Sequence, residues 1–125
     1  MTNGGVHLLG GLRVLVVEDE AVISFLLEDM LGELGAAEVR HAASVRAGLA
    51  AIDAAKPDLA VLDVNLGGER VYPVAERLEE DGVRFVFITG YGKSGIDPRW
   101  AEKSVVQKPF NLVMLTKALG DLLKP

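Results

Sequence analysis

The chain alternates between two kinds of segment, and this alternation restricts its possible folds more than any other feature. Short apolar runs stand at 12-LRVLVV-17, 58-DLAVLD-63 and 84-RFVFIT-89, with weaker ones at 37-AEVRHA-42 and 104-SVVQ-107. Longer amphipathic stretches separate them. Residues 20–34 set Ile23, Leu26, Leu27, Met30 and Leu34 at helical spacing against a polar stripe of Ser24, Glu28, Gly32 and Glu33, and Gly35 stops the pattern. Ser44 is placed to cap a helix running to about Lys56, with Val45, Leu49 and Ile52 inward, before Pro57. Residues 70–80 hold Val71, Val74, Ala75 and Leu78 at the same spacing, and Pro73 is tolerated there only in a first turn. Asn111 caps a last helix with Leu112, Leu115, Leu119 and Leu122 on one face.

Strands and helices that alternate in this way form a parallel sheet covered on both faces. The strongest runs lack polar alternation, as strands buried on both sides do. The expected class is α/β, a doubly wound five-stranded parallel sheet. Its fourth helix is expected to be short or poorly formed, because GYGKSGIDPRWAEK carries three glycines and a proline. Residues 1–11, MTNGGVHLLGG, read as a loose lead-in, and 12–125 as the single domain.

Bulk properties remove several classes of function. The formal net charge of −5 argues against a nucleic-acid-binding face. With no cysteine, disulfides, thiol catalysis and Cys-based zinc sites are excluded. No apolar run reaches the length of a membrane span, and the N-terminus lacks the pattern of a signal peptide, so a cytoplasmic location is expected. The stretch 88-ITGYGKSG-95 looks at first like a phosphate-binding loop after a strand. That motif needs a glycine at position 87, which is Phe87, and Gly95-Ile96-Asp97-Pro98 is a poor helix start.

Ligands of doubly wound sheets sit at the carboxyl ends of the strands. Those ends carry Glu18-Asp19-Glu20, Asp63, Thr89 and Lys108-Pro109. Gathered at one edge, the carboxylates repel one another, and a divalent cation and a lysine relieve that repulsion. Oxygen ligands without nearby His or Cys point to Mg²⁺. Lys108 then binds phosphate as a point charge, and Thr89 donates a hydroxyl. A carboxylate in such company is equipped to accept a phosphoryl group as an acyl phosphate.

These four motifs, VVEDE, VLDVN, FITG and QKPF, occur in order at four strand ends, and with them the chain resembles a receiver domain of two-component response regulators over residues 12–123. The resemblance implies a flavodoxin-like receiver fold with strand order 2-1-3-4-5. It makes Asp63 the phosphoacceptor for a sensor histidine kinase. Asp19 would bind Mg²⁺ directly, Glu18 through water, and Asn65 by its backbone carbonyl. Thr89 and Lys108 would hold the phosphoryl group, and the Lys108–Pro109 peptide would be cis. Such a protein catalyses only its own phosphorylation and dephosphorylation, and a downstream protein or a phosphotransfer protein would be its other partner. With no output segment attached, no DNA binding is expected.

Two departures bear on signal output. The position where receivers place a swinging aromatic is Val105. The segment after Thr89 lacks a good helix, and with DVNLGGE and FxTGYG it resembles small stand-alone receivers of alphaproteobacteria. The expectation is that Tyr91 takes over the aromatic's role, and that residues 90–100 are mobile until phosphate orders them, with at most a helical turn around 98–103. Two other readings stand beside this one. A degenerate receiver would act as a protein-binding module without phosphorylation. A flavodoxin-like cofactor protein would share the fold, but the anionic VVEDE segment repels a flavin phosphate. His7 and His41 read as surface residues and Trp100 as a packing anchor, while Val22 and Phe25 are either core or a kinase-docking surface.

Overall fold

The computed structural model describes residues 8–90 and 95–124. Its elements are β1 (Arg13–Val17), α1 (Ala21–Glu33), β2 (Glu38–Ala42), α2 (Val45–Ala54), β3 (Leu59–Asp63), β4 (Asn65–Leu66), β5 (Glu69–Arg70), α3 (Tyr72–Glu80), β6 (Arg84–Thr89), a 3-10 turn (Pro98–Trp100), β7 (Val105–Gln107) and α4 (Leu112–Leu122). Five strands form one parallel sheet in the order β2-β1-β3-β6-β7. Counted alone, they have the expected order 2-1-3-4-5. The antiparallel ribbon β4-β5 is an addition that the sequence reading missed.

Successive strand side chains face opposite sides of the sheet, so each central strand feeds two cores. Leu15, Val17, Ala60, Leu62, Phe85 and Phe87 pack with Ile52 of α2 and with Val74 and Leu78 of α3. Val14, Val16, Leu59, Val61, Val86 and Ile88 pack with Leu27 and Leu31 of α1 and with Leu115 and Leu119 of α4. Each buried side chain of this size stabilises the fold by about 1.5–3 kcal/mol. That gain on both faces is why strands without polar alternation occupy the centre.

The helix ends follow local chemistry. Ser44 Oγ accepts from the Ala47 N–H at 3.0 Å, and Asn111 Oδ1 from the Met114 N–H at 2.9 Å, as their positions predict. Pro73 lies in the first turn of α3. Helix α2 stops at Ala54, short of the expected Lys56, because Ala55 is already extended and Pro57 disfavours helical backbone just before it.

Two expectations need correction. The loose lead-in does not extend to residue 11: Leu9 is fully buried, its N–H donates to Leu34 C=O at 2.8 Å, and Gly10 bridges to Ala36. Ser24 is buried rather than part of a solvent stripe, since its hydroxyl lies 2.5 Å from His41 Nδ1. His41 is at the surface as expected, but it also holds Glu28 Oε1 at 3.1 Å.

Between β6 and β7 the described residues contain a single helical turn, Pro98–Trp100. Asp97 caps it, accepting from the Arg99 N–H at 3.0 Å, and Pro98 supplies helical φ. Trp100 is 2% exposed and covers the sheet where a longer helix would otherwise lie. It stacks on Tyr72 at 6.3 Å and meets Phe85 and Phe87 edge-on at 6.0 and 6.1 Å. Of the loop expected to be mobile, residues 90–100, residues 91–94 lie outside the described residues, while Ile96 and Trp100 are packed into the core rather than loose.

Candidate functional site

Strand register assembles the site. Val17 pairs with Leu62, Asp63 with Ile88, and Thr89 with Gln107. The residues Glu18, Asp63, Thr89 and Lys108 therefore leave the sheet at one edge. The Lys108 N–H donates to Thr89 C=O at 2.9 Å, which ties the last strand to its neighbour at this level. The Lys108–Pro109 peptide is cis.

Asp63 and Thr89 are buried at 4% exposure each, and Glu18 is buried beside them, while Asp19, Glu20, Asn65 and Gly90 are exposed. All of these except Glu18 line a cleft of about 480 Å³, with the buried Asp63 and Thr89 on its floor. Lys108 Nζ stands 3.4 Å from Asp63 Oδ2, 3.2 Å from Glu18 Oε1 and 3.5 Å from Glu20 Oε1. Burial acts against the lysine's charge, but the Asp63 and Glu18 carboxylates outweigh it and hold its pKa above the usual lysine value. Glu18 is pushed up to about 8, first by burial and then by the neighbouring Asp63 carboxyl, whose charge adds to the shift. The Glu20 N–H, which donates to Glu18 Oε2 at 3.1 Å, and Lys108 oppose this shift.

The ribbon forms one wall of the cleft. Gly67 and Gly68 have φ of +59° and +101°, which fits a two-residue turn with positive φ at both positions. A side chain there would be strained. The Val71 N–H donates to Val64 C=O at 3.0 Å, so ladder alternation leaves Asn65 and Arg70 as a non-bonded pair. The Asn65 carbonyl therefore points away from the ribbon. The signal for this element was Gly67-Gly68 between Leu66 and Glu69, a spacing typical of hairpins. Gly67 and Arg70, which line the cleft, were missed with it.

A divalent cation fits this donor set. Oxygens of Glu18, Asp19 and Asp63 lie within 4.8 Å of one another. Glu18 Oε1 is buried without a hydrogen bond, for the nearby Lys108 is within ion-pair distance but not in bonding geometry. An unbonded buried carboxylate oxygen is costly unless something positive meets it. All the donors are hard oxygens, which suits Mg²⁺.

The two residues expected to carry the output are less fully placed. Val105 is partly buried on β7, opposite Phe87 and against the core that holds Trp100. Tyr91 lies outside the described residues. Val22 and Phe25 are 78% and 66% exposed, so neither belongs to the core. Among the described residues, no helix is long and apolar enough to cross a membrane.

Comparisons with known proteins agree with this geometry. A family model described as response regulator receiver domain matches residues 14–120. SdrG from Sphingomonas melonis Fr1, in its solution structure, is 41% identical with a TM-score of 0.81, covering 91% of this chain and 98% of SdrG. The solution structure of the BeF3-activated conformation of SdrG, from Pseudomonas melonis Fr1, is 42% identical with a TM-score of 0.78, over 90% of this chain and 96% of that one. The receiver domain of the PhyR response regulator from Erythrobacter litoralis is 27% identical with a TM-score of 0.77, over 91% of both chains. A search of curated protein sequences returns no significant match. Fold, strand-end chemistry and family match thus lead to one conclusion: this chain belongs to the response regulator receiver domain family.

Proposed function

We propose that the protein is a single-domain response regulator that accepts a phosphoryl group on Asp63 from a histidine kinase, in a Mg²⁺-dependent reaction. The observation that carries this reading is the grouping of buried Asp63 with Lys108 Nζ at 3.4 Å and with oxygens of Glu18 and Asp19 within 4.8 Å. An Asp63 carboxylate oxygen attacks the phosphorus of a phosphohistidine. The P–N bond breaks, and the imidazole leaves and takes a proton from solvent. Glu18, Asp19, Asp63 and the Asn65 carbonyl would hold Mg²⁺, which when bound offsets charge on the phosphoryl oxygens. Thr89 and Lys108 receive the phosphoryl group, the threonine by its hydroxyl and the lysine by its charge. A signal then leaves through the β6–β7 surface, where Tyr91 and Val105 replace the usual aromatic switch. A downstream protein or a phosphotransfer protein reads that surface, and the reaction takes place in the cytoplasm.

SdrG, which is similar to this chain, has been solved in a BeF3-activated conformation, which supports testing this protein with the same phosphoryl mimic. Beryllofluoride with Mg²⁺ is expected to shift amide resonances around Asp63, Thr89 and Lys108 in the wild type and to leave Asp63→Ala unchanged. Equal shifts in both proteins would refute the assignment of Asp63. A Tyr91→Ala variant that still engages its partner as wild type does would refute the output route.

A further inference from the structure

Among the described residues, two cations line the cleft, Lys108 and Arg70. Lys108 is already surrounded by three carboxylates, at 3.2, 3.4 and 3.5 Å. Arg70 makes no ion pair or hydrogen bond among the described residues. The ribbon nonetheless fixes its backbone position. Arg70 pairs with Asn65 across a ribbon closed by Gly67-Gly68, and opposed residues in an antiparallel pair share one face. Both side chains border the cleft. Asp63 is buried and Arg70 is exposed, and both line the same cleft, so a group built outward from Asp63 enters the space that Arg70 borders.

Charge gives this placement a purpose. A phosphoryl group replaces the single charge of Asp63 with about −1.5 to −2, in a cleft that Asp19 and Glu20 already make anionic. Guanidinium offers a planar fork that matches two phosphoryl oxygens at once, which an ammonium cannot do.

We propose that Arg70 is a second phosphoryl-binding cation, whose guanidinium receives the outward oxygens of a phosphoryl group on Asp63 while Lys108 holds the inner side. This rests on Asp63 being the phosphoacceptor. Arg70 acts as a positioning residue for the acyl phosphate, and it has no part in holding Mg²⁺. The two ligands therefore respond to its removal differently.

The test titrates beryllofluoride at saturating Mg²⁺, followed by chemical shifts, into wild type, Arg70→Ala and Arg70→Lys, with Mg²⁺ titrated alone in parallel. Arg70→Ala is expected to weaken beryllofluoride binding about three- to tenfold, the range of a partly exposed charge-assisted bond. Arg70→Lys recovers part of the loss. Mg²⁺ affinity without beryllofluoride stays the same or rises in Arg70→Ala, because a positive charge has left the cleft. Wild-type beryllofluoride affinity in Arg70→Ala overturns the proposal and leaves Asp63 standing. Parallel loss of both ligands also overturns it, by showing a structural role for Arg70. A wild type that binds no beryllofluoride overturns the reading of Asp63 and this proposal together.

Discussion

Lys108 Nζ lies 3.4 Å from Asp63 Oδ2, a contact between residues 45 positions apart that joins the end of β3 to the loop after β7. It is one of three carboxylate contacts of the same ammonium, and it keeps the cleft from being wholly anionic. Replacing Lys108 with alanine leaves two buried carboxylates without their counter-charge. The Mg²⁺-free variant is expected to lose about 1–3 kcal/mol of stability by denaturant titration. Added Mg²⁺ recovers much of that loss.

Glu18 gives the apo protein a distinctive pH dependence. Its pKa is about 8 in the folded state against an ordinary value of 4.5. Between these values the folded state binds more protons than the unfolded one, so this group's contribution to stability falls as pH rises through that window. It is fully present below the lower value and lost above the upper. Melting temperature without Mg²⁺ is therefore expected to decline from mildly acidic to alkaline pH, and Glu18→Gln to flatten the decline. The stabilisation given by Mg²⁺ grows over the same window, since metal binding favours the deprotonated carboxylate.

The cation site predicts its own linkage. Mg²⁺ at a hundred times its dissociation constant stabilises by about 2.7 kcal/mol. Asp19→Asn is expected to abolish most of that rise in melting temperature. Because it also removes a repelling charge, the same variant should be at least as stable as wild type when Mg²⁺ is absent. An unchanged Mg²⁺ response in Asp19→Asn would show that the ligand set is different.

Trp100 is the protein's single tryptophan and is packed among Tyr72, Phe85 and Phe87. Trp100→Ala is expected to cost about 3–5 kcal/mol, the range for emptying an aromatic core site. Its fluorescence in the wild type should report unfolding of the whole sheet. A loss below 1 kcal/mol would mean that the residue does not replace a helix as the cover of that core.

Much of this was legible in the sequence. The five strands, the four main helices and the caps at Ser44 and Asn111 follow from apolar period and local hydrogen-bonding chemistry. So does the meeting of Glu18, Asp63, Thr89 and Lys108, because parallel strands must end at a common edge. Other features depend on contacts that no local pattern encodes. Ser24 occupies a position that reads as polar surface, yet pairing with His41 across the α1–β2 junction buries it. Leu9 sits among glycines, and only its place against Leu34 shows that it is core. The β4-β5 ribbon has arms too short for periodicity to detect, and Arg70 stayed hidden with it.

The central claim is that Asp63 accepts a phosphoryl group, and covalent labelling tests it most directly. The protein is incubated with a small phosphodonor and Mg²⁺, and its intact mass is followed with and without hydroxylamine. The account predicts one phosphoryl adduct on the wild type, removed by hydroxylamine as an acyl phosphate is, dependent on Mg²⁺ and absent from Asp63→Asn. An adduct of equal yield on Asp63→Asn, or none on the folded wild type with Mg²⁺ present, would contradict it.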